Sequence, residues 1–205
     1  MGDVGLFKEL SSGIAFVLTF FLFIPYIRSI RANTTVPHVF SWIVWAFGTL
    51  VVFLAQLADG AGIGAWPIGF SAGITGYVAV LSYRVRSSVE ISGLDWVLLV
   101  LAVAAIPGWI VAADPLWAVV FLTIGDLIGF GPTIRKAYAN PFKEHAGFFA
   151  LGGVRNLFVV LALERYSLTT VLFPAAVGVA CVLVAVFLML RRYAMPPKTT
   201  SHPQR

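Results

Sequence analysis

The chain has 205 residues, of which 60% are hydrophobic and 11% charged, with a mean hydropathy of +0.93. A soluble domain carries about 25% charged residues and a disordered chain lacks this much apolar surface, so both are excluded. The net charge of +5 does not mark a nucleic-acid surface, because Lys and Arg sit at the ends of apolar segments rather than along one soluble face.

The single cysteine, Cys181, lies in an apolar run, which excludes a disulfide framework. What remains is an all-α integral membrane protein. Met1 to Leu10 has no basic region and no small-residue cleavage site follows the first apolar run, so that run is expected to be a retained helix, not a signal peptide. A spanning helix needs about 20 mostly apolar residues for a hydrocarbon core of about 30 Å. Seven segments are predicted to meet that need: 12–30, 38–57, 63–83, 94–112, 115–136, 146–163 and 168–190. None alternates in polarity as a membrane β-strand does, and the short connections leave no room for an appended soluble domain.

Basic residues orient the bundle. Arg28, Arg31, Arg84, Arg86, Arg135, Lys136, Lys143, Arg191, Arg192, Lys198 and Arg205 fall on one side, and only Lys8 and Arg165 on the other. The N-terminus is therefore expected outside and the C-terminus in the cytoplasm. The glycosylation pattern Asn33-Thr34-Thr35 then faces the cytoplasm and carries no meaning.

An internal repeat runs through the chain. An offset of 107 residues carries Pro25 onto Pro132, Ile27 onto Ile134, Arg28 onto Arg135, Asn33 onto Asn140, His38 onto His145, Pro67 onto Pro174 and Arg84 onto Arg191, without a gap. The predicted units are a three-helix repeat over 1–88, a linker helix over 89–113, a second three-helix repeat over 114–193 and a cytoplasmic tail over 194–205. Two three-span units joined directly would lie inverted. The fourth span restores the orientation, so the repeats are parallel about an axis along the membrane normal.

The seven-helix arrangement, with Pro25-Tyr26-Ile27-Arg28 in one unit and Pro132-Thr133-Ile134-Arg135-Lys136 in the other, resembles the SWEET and PQ-loop superfamily of membrane transporters. Tyr26 and Thr133 stand where that family's motif has glutamine. Spans three and seven lack the asparagine that sugar-carrying members place there. The resemblance implies the fold and a transport activity, and it does not carry a sugar substrate with it.

Ionisable groups inside spans are rare and mark functional candidates. Asp126 and Arg155 both fall near mid-membrane, on consecutive antiparallel spans, and are expected to pair, since an unpaired charge there is far more costly. Two readings stay open: a pair beside a solute path, with Asp126 taking up and releasing a proton, or a permanent ion pair that fixes helix register. Thr19 and Gly48 hold the equivalent positions in the first unit, so the repeat does not itself require the charges.

Asn156 and its equivalent Thr49 are polar at mid-depth and either contact a solute or bond a neighbouring helix. Trp42 and Trp45 share a helical face and either wall a pocket or pack against lipid or a neighbouring helix, with Trp45 a candidate to meet the solute; Trp66, Trp96, Trp109 and Trp117 read as interfacial anchors. Pro25 and Pro132 either kink their helices as matched hinges or end them before the loop. Gly69, Ala72, Gly73 and Gly76 on span three, and Gly125 and Gly129 on span five, are expected to let helices approach closely. His38 and His145 at the cytoplasmic entrances are gate groups or helix caps.

No HExxH or CxxC spacing occurs and 168–190 has no lysine for a retinal Schiff base, so the expectation is no enzyme, no metal and no cofactor. The leading expectation is a transporter of a small polar solute working by alternating access, proton-coupled through Asp126. The alternative is a non-transporting receptor or scaffold in which Asp126 and Arg155 are structural. Its partners are the lipid bilayer and the solute, not nucleic acid, with a homo-oligomer left open. The short tail points to a bacterial inner membrane.

Overall fold

The computed structural model describes residues 2–33, 39–85, 93–139, 141–143 and 146–195. His38, His145, Arg86, Lys198 and Arg205 lie outside the described residues. Among those described, all regular structure is helical: α1 (Gly2–Arg31), α2 (Val39–Ala58), α3 (Trp66–Val85), α4 (Gly93–Ala112), α5 (Leu116–Ala139), α6 (Ala146–Ala162) and α7 (Leu168–Ala194). Short 3-10 turns cover Gly62–Ala65 and Pro141–Lys143. Among the described residues, four helical stretches are long and apolar enough to cross a membrane: Asp3–Arg31, Val39–Ala58, Gly62–Val85 and Leu168–Ala194. Helices α4, α5 and α6, of 20, 24 and 17 residues, lie over the other three expected segments, 94–112, 115–136 and 146–163.

Local sequence explains where the helices stop and start. Gly60, at φ +78°, ends α2: its N–H donates to the Leu57 carbonyl, and the N–H of Ala61 donates to the Gln56 carbonyl at 2.9 Å. This is the pairing of a left-handed glycine cap. Ser167 opens α7 with a reciprocal cap, accepting from the Thr170 N–H at 3.2 Å while its own N–H donates to Thr170 Oγ1 at 3.0 Å. Helices α1 and α5 run on beyond Pro25 and Pro132 to Arg31 and Ala139. Neither proline ends its helix, so each interrupts a backbone ladder from within.

Helix α3 lies between α1 and α2, and α7 lies between α5 and α6. The two triplets meet along α1 against α6 and along α2 against α5, and α4 lies against α5 and α2. The main core joins Val44, Val51 and Val52 of α2 to Leu98 and Ala102 of α4 and to Val119 and Leu122 of α5.

At the end of the bundle that carries Lys8, the two inter-helix loops interlock. The N–H of Glu164 donates to the Ala61 carbonyl at 3.0 Å, and the N–H of Ile63 donates to Glu164 Oε1 at 3.0 Å. Lys8 Nζ donates to the Glu164 carbonyl at 3.2 Å. Asp59 pairs with Arg165 at 3.3 Å and accepts from the Ser167 hydroxyl. Arg165 is largely exposed, so that ion pair contributes about 0–1 kcal/mol, and the clasp rests on its backbone bonds and close packing.

Glycine is required twice in this clasp. Gly62, at φ +59°, has the Glu164 carboxyl where a Cβ would stand, and a Cβ on Gly64 would lie 2.7 Å from the Leu163 backbone. Gly64→Val is expected to destabilise the protein by about 1–3 kcal/mol through overpacking. Gly73→Ala, whose Cβ would meet nothing within 4 Å, is expected to change stability by less than about 0.5 kcal/mol or to raise it. Thermal unfolding of the detergent-solubilised variants measures both.

Candidate functional site

Arg155 projects from the middle of α6 and is buried. Its Nε donates to Thr19 Oγ1 on α1 at 3.2 Å, its Nη1 to Asn156 Oδ1 at 3.2 Å, and its Nη2 to the Pro67 carbonyl, in the first turn of α3, at 2.8 Å. Thr19 passes its own proton to the Ala15 carbonyl at 2.7 Å, and Asn156 Nδ2 donates to the Gly152 carbonyl at 2.9 Å. Every acceptor of the guanidinium is neutral.

Asp126 stands elsewhere. It lines a cavity of about 20 Å³ walled by Trp45 and Gly48 of α2, Leu98 and Leu101 of α4, and Leu122 of α5. It has no hydrogen bond or ion pair among the described residues. A cavity of this size holds about one water molecule.

The expected Asp126–Arg155 pair is therefore not formed, and the reason is topological. Helices α5 and α6 are consecutive in the chain but are not neighbours, because α7 lies between them. The intervening helix carries the buried Cys181. Across from Arg155 stands Thr19, the repeat equivalent of Asp126. Across the cavity from Asp126 stands Gly48, the repeat equivalent of Arg155. The two charges occupy the two matching contacts between the triplets, one in each.

The other candidates divide between these places. Asn156 serves Arg155 as an acceptor and donates to the Gly152 carbonyl, so both of its side-chain bonds stay within α6. Trp45 walls the Asp126 cavity. Trp42 instead packs between helices, stacked on Tyr26 at 5.2 Å and edge-on to Trp45 at 5.4 Å. Thr49 is half-buried and joins neither the cavity lining nor the Arg155 bonds.

Close helix approach occurs at Gly125, against Leu101 of α4, and at Gly152, Gly153 and Gly178 between α6 and α7. At Gly73 and Gly76 the expected close approach is absent, since a Cβ at either position would meet nothing within 4 Å. Gln56 was not among the candidates read from the sequence. It is fully buried on α2, donates from Nε2 to the Thr170 carbonyl on α7 at 2.8 Å, and leaves Oε1 without a partner. Its signal was available: an amide within an otherwise apolar span.

Among the described residues no group of three His, Cys, Asp or Glu side chains is placed to hold a metal ion. The chain matches no protein-family model, and comparison with curated proteins and with solved structures finds no match.

The separation of the two charges is measurable. In a double-mutant cycle, Asp126→Asn and Arg155→Gln are expected to add within about 0.5 kcal/mol, as independent sites do. Thr19→Val and Arg155→Gln share a hydrogen bond and are expected to couple by about 0.5–3 kcal/mol. Chemical denaturation in a fixed detergent reads both cycles, and strong coupling in the first would restore the ion pair.

Proposed function

We propose that the protein is a membrane transporter that moves a small polar solute by alternating access, with proton coupling through Asp126. The observation that carries this reading is the Asp126 carboxyl, which lines an interior cavity midway along α5 without a protein partner. Ionisable groups at such depth serve pathways and proton relays.

The order of the helices supports the reading. It is unchanged when α1, α2 and α3 are exchanged for α5, α6 and α7. That order fits two parallel three-helix units over 1–88 and 114–193, with α4 as linker, N-terminus outside and C-terminus cytoplasmic, as in the SWEET and PQ-loop plan. Among the described residues, hydrogen bonds join the triplets at Arg155 and at the clasped end by Lys8. At the opposite end, Arg31 and Arg191 bond within their own triplets, to Tyr77 and to the Tyr138 carbonyl. This pattern suits a state closed on the outside. The interior prolines, Pro25 and Pro132, then act as hinges for the cytoplasmic ends. Trp45 is the aromatic wall that meets the solute, and Thr49 and Asn156 lie one residue from the cavity's Gly48 and from Arg155. The setting is a bacterial inner membrane.

A second reading, a receptor or scaffold that moves nothing, is favoured by one observation: the cavity is large enough for a water and too small for a solute. A thermal-stability screen separates the two. The purified protein is tested against sugars, amino acids, nucleosides and organic acids in acidic and near-neutral buffer. A ligand at about 100 times its Kd is expected to stabilise by about 2.7 kcal/mol. The transport reading expects a pH-dependent ligand that loses its effect in Asp126→Asn and is taken up by proteoliposomes. Uptake that persists unchanged in that variant would remove Asp126 from the mechanism. A ligand that binds but is not taken up assigns the receptor reading.

A further inference from the structure

The outer surface of the first triplet carries a feature that solute transport does not use. Helix α3 is set back between α1 and α2, leaving an open groove of about 470 Å³ along its length. Phe16 and Phe70 form one wall, with ring centroids 5.0 Å apart, and Phe53 and Trp66 form the other at 5.5 Å. Gly73 makes the floor, exposed and with nothing within 4 Å of its Cβ position. Gly69 lets the Phe53 ring lie against the helix, since a Cβ there would be 2.7 Å from that ring.

The groove follows α3 from Trp66 to Tyr77. At about 1.5 Å per residue that is about 16 Å, reaching from the first residue of α3, at the clasped end of the bundle, to about the middle of that helix. It is apolar along this length and ends on a charge. Arg31, exposed at the end of α1, donates from Nη2 to the Tyr77 hydroxyl and lies 5.8 Å from its ring centroid. That bond occupies part of a five-donor fork suited to a phosphate.

The fold does not produce this groove automatically. At the repeat-equivalent positions the second unit has Ala176 and Ala180 for Gly69 and Gly73, Val184 for Tyr77 and Tyr138 for Arg31. Only the first unit joins a glycine floor to an arginine at its end.

We propose that the groove holds one acyl chain of an anionic phospholipid, with the lipid phosphate paired to Arg31. The length fits one chain, the aromatic walls fit methylene groups, and the positive end fits an anion. A neutral lipid would gain only the chain contacts.

Native mass spectrometry of the delipidated full-length protein tests this. Phosphatidylglycerol and phosphatidylcholine with identical chains are added in turn. The wild type is expected to retain one phosphatidylglycerol, preferred about fivefold over phosphatidylcholine. Arg31→Gln is expected to abolish the preference while weak chain binding persists, and Arg31→Lys to keep most of it. Gly73→Leu fills the floor without meeting other atoms at its Cβ, and is expected to lose both lipids while its thermal stability is retained. Equal retention of the two lipids by wild type would overturn the headgroup assignment. Retention unchanged in Gly73→Leu would overturn the groove itself, and loss of a dimer in that variant would make a second copy of the chain the occupant.

Discussion

Hydrocarbon offers no hydrogen-bond acceptor, so a guanidinium inside a membrane bundle dictates where protein oxygens must stand. Arg155 makes that demand from the middle of α6. It is met by the Thr19 hydroxyl on α1, the Asn156 amide beside it and the Pro67 carbonyl in the first turn of α3. The bonds to Thr19 and Pro67 hold the second triplet against two helices of the first. Because all three acceptors are neutral, the contact fixes an orientation without needing a counter-charge. Leaving such a buried donor unmet costs about 1–3 kcal/mol, which makes α6 intolerant of sliding along α1.

The matching contact between α2 and α5 is built on the opposite principle. Where Arg155 fills its side with a long polar fork, Gly48 offers no side chain, and the Leu122 methyl lies 3.0 Å from the place a Cβ would take. Asp126 is short and does not bridge the gap, so a cavity of about 20 Å³ remains, and α4 closes it with Leu98 and Leu101. One interface between the triplets is thus locked by hydrogen bonds, and the other keeps an ionisable group beside a void. In the transport reading proposed above, a conformational cycle pivots on the first and works through the second.

Much of this was legible in the sequence, and the misses have a common cause. The helices, the offset linking Pro25 to Pro132 and the mid-depth placement of Asp126 and Arg155 follow from hydropathy and spacing, which are properties of the chain taken in order. Which helices touch is not such a property. The expected ion pair assumed that consecutive helices are neighbours, and α7 separates α5 from α6. The glycines of α3 read as a packing stripe because small residues commonly admit another helix, and here Gly73 opens on a groove instead. The clasp of Glu164 over Gly62 had no signal beyond a glycine and an acid in two loops about a hundred residues apart.

In the two-unit arrangement proposed above, the linker helix has a consequence beyond orientation. Two identical three-helix units paired about a twofold axis would have two identical contacts, so an arginine in one would bring an arginine in the other, and an acid likewise. Joining the units in one chain removes that restriction. The residues facing each other then change together: Arg155 with Thr19 at one contact, Asp126 with Gly48 at the other. The positions that set helix geometry, Pro25 with Pro132 and Pro67 with Pro174, stay the same in both units. Helix α4 both permits this divergence and takes part in it, because its own Leu98, Leu101 and Ala102 wall the Asp126 cavity at the one contact it covers.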